Sequence, residues 1–230
     1  MRLQRAFTLP KAADLPNEDR YAFAENAVAL SDGASISYDP ALWAQIVSAR
    51  YTTSPCVTPE WLAGCIVEFN THHVREDLPW NQQAAFDRGT FASLLGVRLA
   101  NNEVHIDTIG DSIAVLCDDV ERVGSFAYDA ADQFDQAPIL LCTDPAKNPI
   151  FHKGVLAAEW TCSWSLENLQ SPRLLCMTDA LGQWLLSAQG GDAVARLVAV
   201  ESEEAFAHFV IAEREAGRLK RDDTTLLAFW

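Results

Sequence analysis

The first thirty residues alternate short apolar-rich runs with polar breaks. "RAFTL", "RYAFAE" and "AVALSD" are separated by "KAADLPNED" and "NA". Runs of this length bounded by turn residues predict strands. From Pro40 the period changes: "PALWAQIVSARY" and "TPEWLAGCIVEFNTHHVRE" place apolar residues three and four apart, as amphipathic helices do. In the second, Thr58 suits the N-cap, Pro59 the first helical position and Glu60 the positive helix start. "FASLLGVRLANNEVHIDTIGDSIAVLC" returns to strands, with "ANNE" as a hairpin turn. Residues 118–172, rich in Asp, Pro and Trp, read as strands with a long loop or flap. "RLLCMTD" predicts a buried strand and "ALGQWLLSAQ" a helix. A further helix is predicted in "SEEAFAHFVIAEREAG", capped by Ser202 and closed by Gly217, before the strand "DDTTLLAFW". No repeat, low-complexity tract or linker breaks this order, which predicts one α+β domain over residues 1–230.

Composition narrows the function classes. Hydrophobic residues make up 49% of the chain, enough for a substantial core. The net charge of −15 disfavours a nucleic-acid groove, which needs Lys and Arg against phosphates, and electrostatic docking on anionic membranes. The opening segment has no apolar core of signal-peptide length, and no run reaches the roughly 18 apolar residues of a membrane span. A cytoplasmic protein is the expectation, with no nucleic acid and no membrane among its partners. Six cysteines without a C-x-x-C pair are expected to be buried, reduced thiols.

Four acidic residues recur where apolar strands start or stop: Asp32 after "AVALS", Asp111 after "VHIDTIG", Asp179 after "LLCMT", and Asp222 before "DTTLLAF". A fifth acidic site, Glu18-Asp19, precedes "RYAFAE". Singly, each reads as a solvated turn residue. Grouped, they need a cation, because two unit charges 4 Å apart repel by about 4 kcal/mol at an effective dielectric near 20. All-oxygen ligands select hard ions such as Mg²⁺ or Mn²⁺.

Taken in order, "NEDRYAF", "VALSDGAS", "RGTFASLLGVRLANNEVHIDTIGDSIAVL", "LLCMTDALGQWLL" and "RDDTTLLAF" resemble the successive motifs of the PPM family, the protein phosphatase 2C-like metal-dependent serine/threonine phosphatases. The resemblance covers nearly the whole chain and rests on five motifs of low individual specificity. It implies a four-layer α-β-β-α sandwich: two mainly antiparallel sheets flanked by helices, as a single catalytic domain. It makes Glu18 a ligand of a second metal, Asp32 a bridge between first and second metals with the Gly33 carbonyl contributing, and Asp179 and Asp222 ligands of the first. Asp111, with Asp179, supports a third, weaker metal. Asp19 orients metal-held water. The nucleophile it implies is a water shared by two Mg²⁺ or Mn²⁺ ions about 3.5–4 Å apart, attacking a phosphoserine or phosphothreonine ester. The partner implied is a phosphorylated protein in a serine/threonine kinase pathway. Thr225 and Ser112 are expected to be hydrogen-bonding residues at strand ends.

Four departures from the family pattern stand out. Asp14 occupies the place where many members carry a phosphate-binding arginine, leaving Arg5, Lys11 and Arg20 as candidates for that role. Ala34 replaces a histidine common in eukaryotic members, and Ala180 replaces glycine after Asp179. If that glycine served a positive φ, alanine would cost about 1 kcal/mol or more. Asp223 stands where many members have asparagine. The alternative class is therefore a catalytically silent relative that binds a phosphoprotein or regulatory partner. Other chemistries lack their parts: no cysteine has an arginine six residues on, and neither G-x-x-x-x-G-K-[ST] nor G-x-S-x-G occurs. Glu68 and His72 have metal-pair spacing but no third ligand, so they read as a polar helix face. The seven tryptophans are scattered and read as core.

Overall fold

A computed structural model describes residues 2–187 and 192–230. In chain order its strands begin with β1 (Leu3–Leu9), β2 (Asp19–Phe23), β3 (Ala27–Asp32), β4 (Phe91–Ala92) and β5 (Leu94–Ala100). They continue with β6 (Glu103–Ile109), β7 (Ile113–Asp118), β8 (Glu121–Phe126), β9 (Leu141–Cys142) and β10 (Phe151–His152). The last are β11 (Val155–Leu156), β12 (Thr161–Ser165), β13 (Pro172–Met177) and β14 (Thr224–Phe229). The helices are α1 (Pro40–Thr53), α2 (Pro59–Thr71), α3 (Trp80–Asp87), α4 (Asp179–Ser187), α5 (Ala193–Val198) and α6 (Glu203–Glu215). They fall into two compact units. Met1–Asp19, Asp111–Pro138 and Ser165–Trp230 make the first; Arg20–Gly110 and Ile139–Trp164 make the second.

The first unit is built on an antiparallel five-stranded sheet in the order β1-β14-β13-β7-β8. Its central strands are continuous apolar runs, and β14 is buried at every residue. One face meets α4, α5 and α6: Leu181, Trp184, Leu197, Phe206 and Val210 pack with Phe7, Val115, Leu175, Met177 and Leu226. α6 starts on Ser202, whose Oγ accepts the Ala205 N–H at 3.1 Å, and ends before Gly217 at φ +69°, a conformation glycine adopts without strain. The last two residues of the predicted "ALGQWLLSAQ" helix lie outside the described residues.

The second unit carries the other five-stranded sheet, β12-β6-β5-β3-β2, in which β3–β5 and β5–β6 pair antiparallel. The "ANNE" turn is a two-residue hairpin, with Asn101 at φ 50° and Asn102 at φ 64°. That geometry matches the right-handed twist of the strands it joins. α1 and α2 supply Trp43, Val47, Tyr51, Trp61, Leu62 and Phe69 to this unit's core. Thr58 caps α2 by accepting the Trp61 N–H at 3.1 Å. β5 carries Gly96 for a steric reason: a Cβ there would lie 2.2 Å from the Tyr51 ring. The Tyr51 hydroxyl then reaches across to donate to Asp107 at 2.8 Å.

Several expectations change. α2 stops at Thr71 instead of running through Glu76, because Val74, the next apolar residue, is 57% exposed and offers no face to bury. α3 was not legible: it begins on Trp80, which is exposed, and buries no residue fully. Residues 118–172 hold strands, as expected, but not one long flap. They give β8 to the first sheet and β9 to β12 to the second unit, with 3-10 turns between. All six cysteines are free, but only Cys65, Cys117, Cys142 and Cys176 are buried. Cys162 is half-buried and Cys56, in the loop before α2, is exposed. Glu68 pairs with Arg50 at 3.1 Å, as a polar helix face would. Among the described residues no helix is long and apolar enough to cross a membrane.

Candidate metal centre

Strand register places three of the acidic residues at one end of the first sheet. Met177 pairs with Ile113 on one side and Leu226 on the other, and Leu9 pairs with Thr224. Asp111 lies two residues before Ile113, Asp179 two residues after Met177, and Asp222 two residues before Thr224. The chain therefore leaves or enters three adjacent strands through a carboxylate at the same edge. The loop that follows Leu9 brings in Glu18 and Asp19.

Ammonium groups tie this cluster together. Lys220 Nζ lies 2.8 Å from Asp179 Oδ2 and 3.1 Å from Asp222 Oδ2. Lys11 Nζ lies 2.7 Å from Glu18 Oε2. Burial disfavours both ammonium ions, yet the facing carboxylates raise the pKa of each on balance. Negative charge remains in surplus all the same. Burial, with repulsion from Asp179, pushes Asp111 up to about 6.

Beneath the carboxylates runs a buried hydroxyl network. Asp19 Oδ2 accepts from Thr225 Oγ1 at 2.7 Å and from Thr178 Oγ1 at 3.1 Å. Thr8 Oγ1 sits 2.7 Å from Thr225 Oγ1 and accepts from Asn17 at 2.7 Å. Asp19 is 4% exposed, and burial raises its pKa despite those hydroxyls. Thr225 thus has the hydrogen-bonding place expected of it, and Ser112 is fully buried. Asp223 is no ligand-like group. Its two oxygens accept the main-chain N–H groups of Lys11 and Glu18, each at 2.6 Å. Arg214, reaching from α6, donates to the carbonyl of Asp222, to Thr224 Oγ1 at 2.9 Å and to the Pro10 carbonyl at 3.0 Å. Both sides of the cluster are therefore fixed through their backbones.

Asp179 opens α4, and its Oδ1 accepts the Ala180 N–H at 2.6 Å. Ala180 lies in the helix's first turn and is absent from the positive-φ positions, so alanine carries no backbone strain here. In the second unit Asp32 ends β3, locked to Ser93 by N–H to Oγ at 2.9 Å and C=O to N–H at 2.8 Å. A Cβ on Gly33 would fall 2.6 Å from the Pro40 carbonyl oxygen, so this glycine admits the start of α1. Of the basic candidates, Lys11 stands at Glu18. Arg5 is spent elsewhere: its guanidinium donates to the carbonyls of Val198 and Val200 and lies over the Trp230 ring. Arg5 is also four residues back along β1 from Leu9, about 13 Å at strand rise. Arg20 lies on β2 in the second unit, and Asp14 is exposed.

Among the described residues no three His, Cys, Asp or Glu side chains already converge as a metal's ligand set. The donor chemistry nonetheless suits a hard divalent ion: carboxylate oxygens only, carrying surplus negative charge, with singly charged ammonium groups already seated on them. Sequence reasoning missed Lys220, Thr178 and Arg214, and it noted Asp223 only as an exchange for asparagine. Lys220 directly precedes the "RDD" motif, closely enough to have drawn notice; Thr178 and Arg214 left no local signal.

No family model and no curated protein matches the chain. Solved structures do match, over nearly the full length of both chains. A bacterial serine phosphatase superposes with a TM-score of 0.61 at 15% identity, covering 97% of this chain and 95% of that one. The catalytic domain of the serine/threonine phosphatase PstP, in complex with 2 manganese ions, gives 0.59 at 16% identity, covering 98% and 96%. The serine/threonine phosphatase Stp1 from Staphylococcus aureus gives 0.57 at 15%, covering 99% and 94%. The chain has the fold of the bacterial serine/threonine phosphatases.

Proposed function

We propose that this protein is a metal-dependent serine/threonine phosphoprotein phosphatase whose whole chain, residues 1–230, is one catalytic domain. The observation that carries the reading is the exit of Asp111, Asp179 and Asp222 from one end of a sheet, from three adjacent strands. In the first unit, Glu18, Asp111, Asp179 and Asp222 would hold Mg²⁺ or Mn²⁺. The role the resemblance gives Asp32 and the Gly33 carbonyl belongs to the same proposal. Bound divalent ions supply a lowered water pKa and neutralise charge on the phosphoryl oxygens.

The chain's own residues do the rest. Asp223 fixes the Glu18 backbone, Arg214 fixes that of Asp222, and the Asp19–Thr178–Thr225 network holds the strand ends. Lys11, at Glu18, is the phosphate-facing cation of the first unit. The substrate class is a phosphoserine or phosphothreonine protein, the product of a kinase, handled in the cytoplasm.

One observation favours a second reading, a silent phosphoprotein binder: Lys11 and Lys220 already neutralise carboxylates that a metal would need. Hydrolysis of a phosphothreonine peptide and of p-nitrophenyl phosphate, with Mn²⁺ and with EDTA, separates them. The enzyme reading expects turnover with Mn²⁺ that EDTA abolishes. Folded protein without turnover in either condition, yet binding the phosphopeptide, establishes the silent reading instead.

A further inference from the structure

We infer that Lys220 is a tethered cation that holds the seat of the first metal and must be displaced for a divalent ion to load. The inference rests on the metal-dependent reading above and adds the residue that sets its metal affinity. The Lys220 ammonium is shared between Asp179 Oδ2 and Asp222 Oδ2, at 2.8 and 3.1 Å, the two carboxylates assigned to the same ion. Its backbone is anchored beside them. The neighbouring Leu219 is buried in the first unit's core, and the Asp222 N–H donates to the Lys220 carbonyl at 3.1 Å. The side chain itself is 53% exposed, so nothing sterically confines the ammonium between the two acids. Charge does. Asp111 and Asp179 also repel each other, and the Lys220 ammonium sits on Asp179 and Asp222 against that charge.

A divalent ion and an ammonium cannot share the same two oxygens, because like charges a few ångströms apart repel strongly. Lysine suits a displaceable role: it is a point charge on a flexible four-carbon stem, without the planar fork that commits arginine to one geometry. Metal binding is then an exchange in which Lys220 swings to solvent. The wild-type protein loads metal more weakly than its carboxylates allow, and resists unfolding without metal better than they allow.

The test uses the full chain freed of metal. Calorimetric titration with Mn²⁺ compares wild type, Lys220→Met and Lys220→Arg, with thermal melting of each in EDTA at low salt. Lys220→Met is expected to bind Mn²⁺ about tenfold more tightly than wild type, the loss of one charge-assisted competitor. It is also expected to melt lower in EDTA, while Lys220→Arg binds no more tightly than wild type. Lys220→Gln serves in place of Lys220→Met if the latter is poorly folded. Wild-type binding of Mn²⁺ with no tightening in the neutral variants overturns the inference and leaves the metal-dependent reading standing. Absence of Mn²⁺ binding in every variant removes that reading and this inference together.

Discussion

The Asp223 carboxylate accepts the Glu18 N–H through Oδ2 at 2.6 Å, a hydrogen bond that spans 205 residues of sequence. Its other oxygen accepts the Lys11 N–H at the same distance. Asp223 therefore positions a loop by its main chain and leaves the side chains of Lys11 and Glu18 to act. An asparagine retains one acceptor and turns an NH₂ toward the second N–H, facing donor to donor. Asp223→Asn is predicted to cost about 1–3 kcal/mol, the penalty of an unsatisfied buried donor. Thermal denaturation checks the stability. A Mn²⁺ titration is expected to show weaker binding as Glu18 loses its fixed position.

Asp179 has two tasks, accepting the Ala180 N–H through Oδ1 and the Lys220 ammonium through Oδ2. Asn keeps the size and one acceptor but loses the charge a divalent ion needs. If the chain is the enzyme proposed, Asp179→Asn lowers Mn²⁺-dependent hydrolysis of a phosphothreonine peptide by about a hundredfold or more. Asp32→Asn is expected to do the same. Activity surviving both substitutions rejects the ligand assignment.

The sheet end was legible because each acidic residue abuts an apolar run, and strand register converts that adjacency into a common edge. Asp111, Asp179 and Asp222 needed only the correct pairing of β7, β13 and β14 to leave the same end of the sheet. What was hidden depends on contacts without local pattern. Asp223 reads in sequence only as an exchange for asparagine beside Asp222, and only the folded loop 10–18 shows it gripping two amides. Lys220 reads as a solvated charge until Asp179, 41 residues away, is beside it. Arg5 and Lys11 looked equivalent in sequence; β1 carries one away from the carboxylates and delivers the other to Glu18. α3 has little apolar periodicity and buries no residue fully, so hydrophobic spacing could not announce it.

Two small residues after aspartates behave oppositely. Gly33 faces backbone: an added Cβ would lie 2.6 Å from the Pro40 carbonyl oxygen. Gly33→Ala is predicted to destabilise by about 1–3 kcal/mol, because the start of α1 must shift. Ala180 is helical and buried, so exchanging it for glycine is not a repair. Ala180→Gly is predicted to lose about 1 kcal/mol through backbone entropy in the helix. Paired chemical denaturation of the two variants checks both. A stabilised Ala180→Gly would contradict the helical geometry at this position.

Glu213 contributes an acid-side pH dependence to the stability of the first unit. It is 2% exposed on α6 and accepts from Arg218, Arg196 and the Trp184 indole N–H, the last at 2.9 Å. The hydrogen bonds from Arg218, acting against burial and joined by those from Arg196 and Trp184, hold its carboxyl down to about 2, from an ordinary 4.5. The folded state thus binds this proton less readily than the unfolded chain. Its stabilisation is complete above about pH 4.5 and is lost progressively as the pH falls toward 2. Glu213→Gln removes the charge while keeping the shape, so it should cost about 2 kcal/mol at pH 7, the worth of hydrogen bonds to a charged group. The gap between wild type and variant should narrow steadily from pH 4.5 downward, as wild-type Glu213 takes up the proton that the variant never carries. Melting curves of both proteins in EDTA across that range measure it, and a gap independent of pH would remove Glu213 from the account of acid stability.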